Sequence, residues 1–252
     1  GLTPSENFKT VTYTGNSGTQ AITGVGFKPD FVWIKERSQA ENHNLIDSTR
    51  GTNKIISSNL TGAEFTSTRF TSFDTDGFTL ANNNETNDNG VTYVAWCWKA
   101  NAGTTSSNGD GSITSTVQAN TAAGFSIITY TGDGASTSTI GHGLDSAPEL
   151  VLLKTRSHTS DWPVYSSGTT NAGYRLVLNS NGAESTTNNP WNSTAPTSTV
   201  INLGSSGNVN ISSRTFVAYA FHSVAGFSKF GTYIGNGSAN GPIVETGFEV
   251  GY

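Results

Sequence analysis

Tyr13-Thr14-Gly15 returns later in the chain as Tyr130-Thr131-Gly132 and, with one change, as Tyr233-Ile234-Gly235. A second marker, glycine followed by an apolar residue, lies 13 residues after the first two tyrosines and 14 after the third: Gly26-Phe27, Gly143-Leu144 and Gly247-Phe248. Two markers in the same order at similar spacing indicate that one structural unit was copied in tandem. The question of function is therefore what an array of this unit does.

The first two copies match over most of their length. Three more pairs of segments align in the same order: Phe31–Lys35 with Leu150–Lys154, Asn59–Glu64 with Asn179–Glu184, and Tyr93–Trp98 with Phe216–Phe221. We predict a first repeat at 1–99, a linker or surface loop at 100–123, a second repeat at 124–225 and a partial third repeat at 226–252. We expect a hairpin at 227–245 to pack on the second unit, because so short a unit cannot bury a core alone.

The pattern inside each unit predicts strands and turns. Phe8–Tyr13 alternates apolar with polar residues, and Phe31–Ile34 is a continuous apolar run, which is typical of a strand buried on both faces. Segments rich in glycine and asparagine separate these runs, as turns require. No window has the 3.6-residue period of an amphipathic helix. The prediction is an all-β fold of two antiparallel, jelly-roll-like β-sandwich units stacked in series.

Composition excludes several classes of partner. Only 12% of the residues are charged, the net charge is −5, and no basic run occurs, so we expect no nucleic-acid partner. No apolar stretch approaches the ~18 residues of a membrane span, so we expect no membrane insertion. The chain begins with Gly1 and contains no Met, which favours a processed or excised piece of a longer protein. Its one cysteine, Cys97, lies in an apolar run and is predicted to be a buried free thiol.

Catalytic constellations are not evident. The four histidines form no HExxH motif or close pair with cysteine, and there is no GxSxG elbow, so we predict neither a metal site nor a nucleophile. Glu64 and Glu184 occupy matching repeat positions, as do Asp30 and Glu149, but matching positions lie in different units. We interpret these carboxylates as acceptors of backbone N–H bonds in loops. We predict no cofactor.

Two other patterns have a structural and a functional interpretation. Asp74–Gly77, Glu85–Gly90 and Asn108–Gly111 offer oxygen ligands for calcium, yet Asp-Gly and Asn-Gly pairs are also ordinary turn chemistry, which we favour. Lys35 and Lys154, each followed by arginine and serine, end the apolar strand in both units. We interpret them as structural cations that emerge from the sheet or pair with a neighbouring acid.

Carbohydrate contact is the binding chemistry that the sequence favours most. Trp162 and Trp191 lie in polar, loop-like surroundings, and neither has a counterpart in the first unit. A tryptophan ring can stack on a sugar face while neighbouring polar groups bond its hydroxyls. The candidate glycan-binding residues are therefore Trp162, Asp161, His158 and Trp191. The alternative is that both rings fold back over the edge of the sandwich. Trp96 and Trp98 are expected on one face of their strand and Cys97 on the other.

Five segments resemble the tandem β-rich units of large virion structural proteins of marine bacteriophages, including cyanophages: Tyr130–Gly134, His142–Lys154, Asp161–Tyr165, Phe216–Phe221 and Gly226–Gly237. The similarity covers both complete units and enters the third, and it is looser in the first, where Asp-Trp is missing. The resemblance implies a place on the surface of a virus particle, outside the cell, and it transfers no active residue. It also implies by analogy that exterior modules of this kind contact host-surface glycans.

The function predicted from these observations is a non-enzymatic structural module of a phage virion, in a tail fibre, head fibre or appendage. One alternative is a lectin-like module that recognises host surface glycans, and the other is a glycan-degrading spike domain. The expected partners are further copies of the chain or other virion proteins, because exposed strand edges favour association.

Overall fold

The computed structural model describes residues 2–250, and nearly all of their regular structure is β. One 3₁₀ turn, Pro4–Glu6, and one single-turn helix, α1 (Asn84–Asn87), are the helical elements of this range. The strands are β1 Phe8–Thr14, β2 Gln20–Ile22, β3 Phe31–Glu36, β4 Asn44–Asp47, β5 Lys54–Ile55, β6 Phe65–Thr66, β7 Phe70–Asp74, β8 Gly77–Leu80, β9 Thr92–Trp98, β10 Ser106–Asn108, β11 Ser115–Asn120, β12 Phe125–Thr131, β13 Thr137–Gly141, β14 Leu150–Thr155, β15 Pro163–Ser166, β16 Leu176–Val177, β17 Val200–Gly204 and β18 Thr215–Phe221. The all-β prediction is confirmed.

Two large antiparallel sheets form the framework. The N-terminal sheet has the order β1-β9-β3-β4, and the C-terminal sheet has the order β10-β11-β12-β18-β14-β15-β16. The series β1-β9-β3-β4 and β12-β18-β14-β15 run in the same order, and every pair in both is antiparallel. The sequence repeat is thus matched by a repeat of strand order, in which the first and last strands of each unit lie side by side.

Each large sheet buries one face under a smaller sheet. The β2-β8-β7 sheet covers the N-terminal sheet and the β13-β17 pair covers the C-terminal sheet. The first of these cores contains Val32, Ile34, Phe78 and Cys97, and Cys97 is free and buried as predicted. The second core contains Ile128, Leu153, Ile201 and other apolar residues of the C-terminal sheet and its cover. Each large sheet thus forms a layered core with the smaller sheet that covers it.

The opposite faces of the two large sheets pack against each other, so the sandwiches are not stacked in series. A third core joins Phe31 and Leu45 of the N-terminal sheet to Phe125, Val217 and Tyr219 of the C-terminal sheet. The prediction of end-to-end units was wrong on this point. The physical reason is that both large sheets are apolar on both faces, and an apolar face left in water would cost roughly 25 cal/mol per Å².

Residues 100–123 are not a linker. They contribute β10 and β11, which extend the C-terminal sheet beyond β12. The turn at 101–103 is also fixed to the N-terminal half, because the Asp30 carboxylate accepts bonds from the Ala102 and Gly103 N–H groups at 2.9 and 2.7 Å. The low aromatic content of this segment suggested a linker. The segment is instead an edge hairpin, and its backbone N–H and C=O groups are paired with neighbouring strands.

The third repeat does not form the predicted hairpin. Within the described part of 226–252 there is no strand, and one isolated bridge joins Val224 to Ser228. Phe230 packs near Phe221 with ring centroids 5.8 Å apart, which is a local anchor on the second unit. We call residues 226–250 the tail. Most of it lies in solvent, because the strand that pairs with this segment in the complete units has no third copy among the described residues.

The Tyr-Thr-Gly marker has a structural cause. The Tyr13 hydroxyl donates to the Thr86 carbonyl at 2.8 Å, and the Tyr130 hydroxyl donates to the Val209 carbonyl at 2.6 Å. A Cβ on Gly15 would lie 2.1 Å from the Asp88 carbonyl oxygen, and one on Gly132 would lie 2.3 Å from that of Ile211. The marker therefore locks the end of each first strand against the loop that leads into each last strand.

Candidate functional site

The structure places Trp162 in the core between the two large sheets. Its side chain has 0% exposure, and its indole N–H donates to the Ser57 carbonyl of the N-terminal half at 3.0 Å. A ring without accessible surface cannot stack on a sugar, so its predicted role as a glycan contact was wrong. The polar residues that precede Trp162 in the sequence belong to the loop after β14, whereas the ring turns inward to join the two halves.

Trp191 is also buried, in the core of the C-terminal sandwich. Its ring meets that of Tyr165 edge-on, with centroids 6.0 Å apart, and its indole nitrogen has no hydrogen-bond partner. This residue too offers no face to a carbohydrate. The alternative of a ring folded back onto its own sandwich fits Trp191, whereas Trp162 packs between the two large sheets. Each indole ring is large and fills space inside a core, so its neighbours in the folded chain are apolar side chains.

The other two candidate residues remain near the surface. His158 is exposed in the loop after β14, and its Nδ1 lies 2.9 Å from the Ser157 hydroxyl. Asp161 is half-buried and accepts a bond from the Asn179 side-chain amide at 3.0 Å. Without an aromatic platform beside them they form no recognisable sugar site, and glycan contact through these two residues stays a prediction.

A buried polar cluster lies where the two halves meet, and we call it the inter-half ionic cluster. Arg50 of the N-terminal half is at its centre. Its Nε lies 2.5 Å from an Asp47 carboxylate oxygen, its Nη1 lies 2.9 Å from Glu64, and its Nη2 donates to the Tyr219 hydroxyl at 3.1 Å. Glu64 also receives two bonds from Arg156 of the C-terminal half, at 2.9 and 3.0 Å. One carboxylate therefore joins an arginine from each half.

The electrostatics of this cluster hold its charges in place. Burial alone would lower the pKa of Arg50, but Asp47, Tyr219 and Glu64 together outweigh it and the pKa lies above its ordinary value. Burial would raise the pKa of Glu64, but the bonds from Arg156 and Arg50 lower it overall. Burial raises the pKa of the Tyr219 hydroxyl. Arg50 and Glu64 therefore stay ionised and Tyr219 stays neutral near pH 7, which suits a fixed ionic joint.

A second polar joint forms around Asp30 and Gln118. Asp30 accepts the N–H of Ala100 at 2.7 Å, and the Gln118 amide donates to the Ser48 and Thr49 hydroxyls, both at 2.9 Å. The corresponding carboxylate in the C-terminal half, Glu149, accepts the hydroxyl of Ser223 at 2.7 Å and its N–H at 3.3 Å. The interpretation of these two acids as acceptors of backbone N–H bonds is therefore correct.

Glu64 and Glu184 do not share one role. Glu184 accepts the backbone N–H of Thr170 at 2.9 Å, as the loop interpretation expected. Glu64 pairs with two arginines instead, so the interpretation was wrong for that residue. Sequence reasoning missed Arg50 and Asp47 altogether. The available signal was a charged pair, Asp47 and Arg50, directly after an apolar strand, a position at which an unpaired charge could not be buried.

The lysine that ends the apolar strand in each unit forms the same loop contact twice. Lys35 donates to its own next carbonyl, Glu36, and to the Gln39 carbonyl, at 2.7 and 3.4 Å. Lys154 does the same with Thr155 and His158, at 3.1 and 3.5 Å. Lys154 alone adds a third acceptor, the Thr61 carbonyl of the N-terminal half, at 3.1 Å. Burial lowers the pKa of Lys154 to about 8.

The carboxylates of the oxygen-rich loop at Asp74–Gly77 accept hydrogen bonds from other parts of the N-terminal half. Asp76 accepts the N–H groups of Gly24 and Gly26 at 3.1 and 2.6 Å, and these bonds lower its pKa. Asp74 accepts the hydroxyls of Ser72 and Thr79. Within residues 2–250, no group of three or more histidine, cysteine, aspartate or glutamate side chains is arranged to hold a metal ion. The choice between turn chemistry and calcium binding in these loops stays a prediction.

An apolar groove of about 370 Å³ opens at one end of the core between the sheets. Its walls are aromatic and aliphatic side chains of both large sheets, among them Phe8, Trp33, Trp98, Phe125 and Leu150. Residues of the tail cover it in part: Phe227, Phe230, Phe248 and Val250. The groove is thus the outer rim of the third core, and the tail is already its occupant.

Comparison with known proteins gives one result. A protein-family model described as "Domain of unknown function (DUF7483)" matches residues 3–251. No curated protein and no solved structure gave a match. Within residues 2–250, no helix has the length and apolarity needed to cross a membrane.

Proposed function

This chain belongs to the family described as a domain of unknown function, DUF7483, and we propose that it is a non-enzymatic structural module of a bacteriophage virion. Its place would be a tail fibre, head fibre or similar appendage on the outer surface of the particle. Further copies of the chain, or other virion proteins, would be its partners. The module would maintain the shape of the appendage and would catalyse no reaction.

The observation that carries the proposal is the continuous core between the two large sheets. Phe31 stacks on Tyr219 with ring centroids 4.2 Å apart, and Trp162 bonds across to Ser57. Fusing two sandwiches through apolar faces and a buried ionic cluster makes a stiff block, because neither half can rotate without exposing that surface. A stiff repeating block is what an appendage of fixed length requires.

The location on a virion rests on a separate argument, the resemblance of both units to phage structural proteins. The segments that carry it include His142–Lys154 and Phe216–Phe221, and these form β14 and the centre of the C-terminal sheet. The chemistry of the side chains favours the same kind of role. The acids and lysines that a catalytic or metal site could have used are engaged in turns, ion pairs and loop contacts.

The lectin-like alternative loses its main support, since both candidate rings are buried. It would have to rely on polar loops such as the one that contains His158 and Asp161. The glycan-degrading alternative would need two free carboxylates about 5–10 Å apart. Glu64 forms ion pairs with two arginines, so its carboxylate is not free to act as one of these two acids.

Labelling of virus particles tests the proposal directly. In immunogold electron microscopy, antibodies raised against the purified chain should label a discrete appendage on particles of the phage that encodes this sequence. Particles that carry no label, in a preparation where a capsid antibody does label, would contradict it. A glycan array and an assay for reducing ends released from host polysaccharide address the alternatives, and we expect no signal in either.

A further inference from the structure

Strand β1 is an open edge at the position where the C-terminal sheet carries an extra strand. In the C-terminal half, β12 is flanked by β18 on one side and by β11 on the other. In the N-terminal half, its counterpart β1 is flanked by β9 alone among the described residues. At this end of the sheet, β11 and β10 therefore have no counterpart in the N-terminal half.

The hydrogen-bond pattern shows which groups this edge leaves unpaired. The Lys99 N–H bonds to the Asn7 carbonyl and the Gly15 N–H bonds to the Val91 carbonyl, at 2.9 and 2.8 Å. In an antiparallel ladder, alternate residues face the partner, so the even-numbered residues of β1 point their backbone N–H and C=O groups away from β9. These residues are Phe8, Thr10, Thr12 and Thr14.

The equivalent groups of β12 are paired. The His222 N–H bonds to the Gly124 carbonyl, which sets Phe125, Ile127 and Thr129 to face away from β18. Those three residues lie opposite β11 in the ladder of the C-terminal sheet. The molecule thus contains an example of the strand addition that β1 lacks.

The tail carries a strand sequence without a strand partner. It contains the third Tyr-Thr-Gly-like copy, and the first two copies end strands β1 and β12. In the tail, Ile234 and Ile243 are 89% and 92% exposed, and the space around a Cβ on Gly235 is empty to 4 Å. Exposed apolar side chains in an unpaired segment favour addition to a sheet edge.

We propose that the tail of one copy adds as a strand to the open β1 edge of a second copy. Each chain then offers one edge and one tail, so the contact is heterologous and copies join head to tail into a row. Charge is complementary at the end of the pairing segment, because the exposed side chain of Lys9 lies on the edge and Glu245 directly follows residues 233–244 of the tail. The inference deepens the proposed structural role by naming the contact between copies.

The chain's own tail does not satisfy its own edge. Phe227, Phe248 and Val250 line a small depression next to Phe8 and Thr10, so the two ends of the tail start near the beginning of β1. No backbone hydrogen bond joins them among the described residues, and residues 233–244 extend into solvent. The tail is therefore anchored by its rings and free along the part that would pair.

Two variants separate the two halves of the contact. Thr12→Pro removes an outward-facing N–H and leaves the β1–β9 ladder bonds, which use odd-numbered residues, in place. Tyr233→Pro/Ile234→Pro places a proline on the pairing side whichever way the tail faces. Thr12→Val keeps the N–H and is the matched control for the edge. Circular dichroism and melting identify any variant that fails to fold, and the tail variant tests the proposal independently since it lies outside the sandwiches.

Sedimentation velocity over a range of concentrations measures the result. We expect the wild-type chain and Thr12→Val to form rows of increasing mass, and each proline variant alone to stay a monomer. An equimolar mixture of the two proline variants should give a dimer that does not grow, because it contains one intact tail and one intact edge. A wild-type chain that is monomeric at every concentration overturns the proposal. So does a tail variant that dimerises through its own β1, because that variant has no intact tail to add to the edge. Neither outcome changes the result of virion labelling, so the proposed function is tested separately.

Discussion

Phe31 and Tyr219 join the two halves of the molecule through two kinds of contact at once. Their rings stack with centroids 4.2 Å apart and planes 15° from parallel. The hydroxyl of the same tyrosine donates to an Asp47 carboxylate oxygen at 2.7 Å and receives a bond from Arg50 at 3.1 Å. The apolar core and the inter-half ionic cluster therefore meet at one side chain, and the halves should unfold together.

Tyr219→Phe tests this hydroxyl. The change keeps the stacked ring but leaves Asp47 and Arg50 each with one fewer partner in a buried site, so we expect a loss of about 1–3 kcal/mol in the free energy of unfolding. Urea denaturation followed by tryptophan fluorescence and by circular dichroism measures it. Tyr165→Phe is the matched control, because that buried ring contacts Trp191 and its hydroxyl bonds no described residue. Equal losses in the two variants would contradict the role assigned to Tyr219.

Arg50→Met tests the ionic cluster itself. The side chain of Arg50 has no exposure, and its removal leaves the buried Asp47 carboxylate without its cation, so we expect a loss of about 3–5 kcal/mol. Arg69→Met is the control, because Arg69 pairs with Glu85 within the N-terminal half, where both side chains keep some contact with water. Arg69 also donates to the buried Asn44 side chain, so that loss should be about 1–2 kcal/mol, smaller than the loss for Arg50→Met. Two separate transitions in the urea curve of Arg50→Met would show that the cluster couples the halves.

Alanine at the three marker glycines should give two losses and one neutral result. At Gly15 and Gly132, a Cβ would lie within 2.3 Å of a backbone oxygen, and we expect overpacking to cost about 1–3 kcal/mol. Gly235 has no atom within 4 Å of that position, so Gly235→Ala should change the free energy of unfolding by less than about 0.5 kcal/mol. Thermal unfolding at matched concentration compares the three. Destabilisation at Gly235 similar to that at Gly132 would mean that the tail already has a fixed partner.

The local features of the fold could be predicted from the sequence, but the contact between its halves could not. Alternation placed Cys97 on the face opposite Trp98, and the structure confirms it. The run at Phe31–Ile34 predicted burial on both faces, so the second face of that sheet needed a cover, but the pattern did not identify the cover. Which sheet would cover the second face depends on shape rather than on period. The prediction for Trp162 was wrong for a related reason. Polar neighbours in the sequence indicate a loop, but they do not show which way the largest side chain of that loop points.

The pH dependence of stability should reveal the buried lysine. Burial lowers the pKa of Lys154 to about 8, against an ordinary value near 10.5. Between these two pH values the unfolded chain binds a proton at this site and the folded chain does not, so this group makes stability rise with pH, by at most about 1.4 kcal/mol per pH unit. The contribution is constant below pH 8.

Other groups act in the opposite direction, so the lysine must be isolated by difference. Burial raises the pKa of the Cys97 thiol and of Tyr219, so the unfolded chain ionises first at those groups and stability falls above about pH 9. Cys97→Ala removes the thiol, and it is a conservative background because the matching position in the second unit is Ala220. In that background, the free energy of unfolding of the Lys154 chain minus that of Lys154→Met should increase as the pH is raised from 8 to 9.5. A difference that stays flat or declines over this range would show that Lys154 is charged at its three carbonyls and that its ammonium group holds the loop against Thr61 at all these pH values.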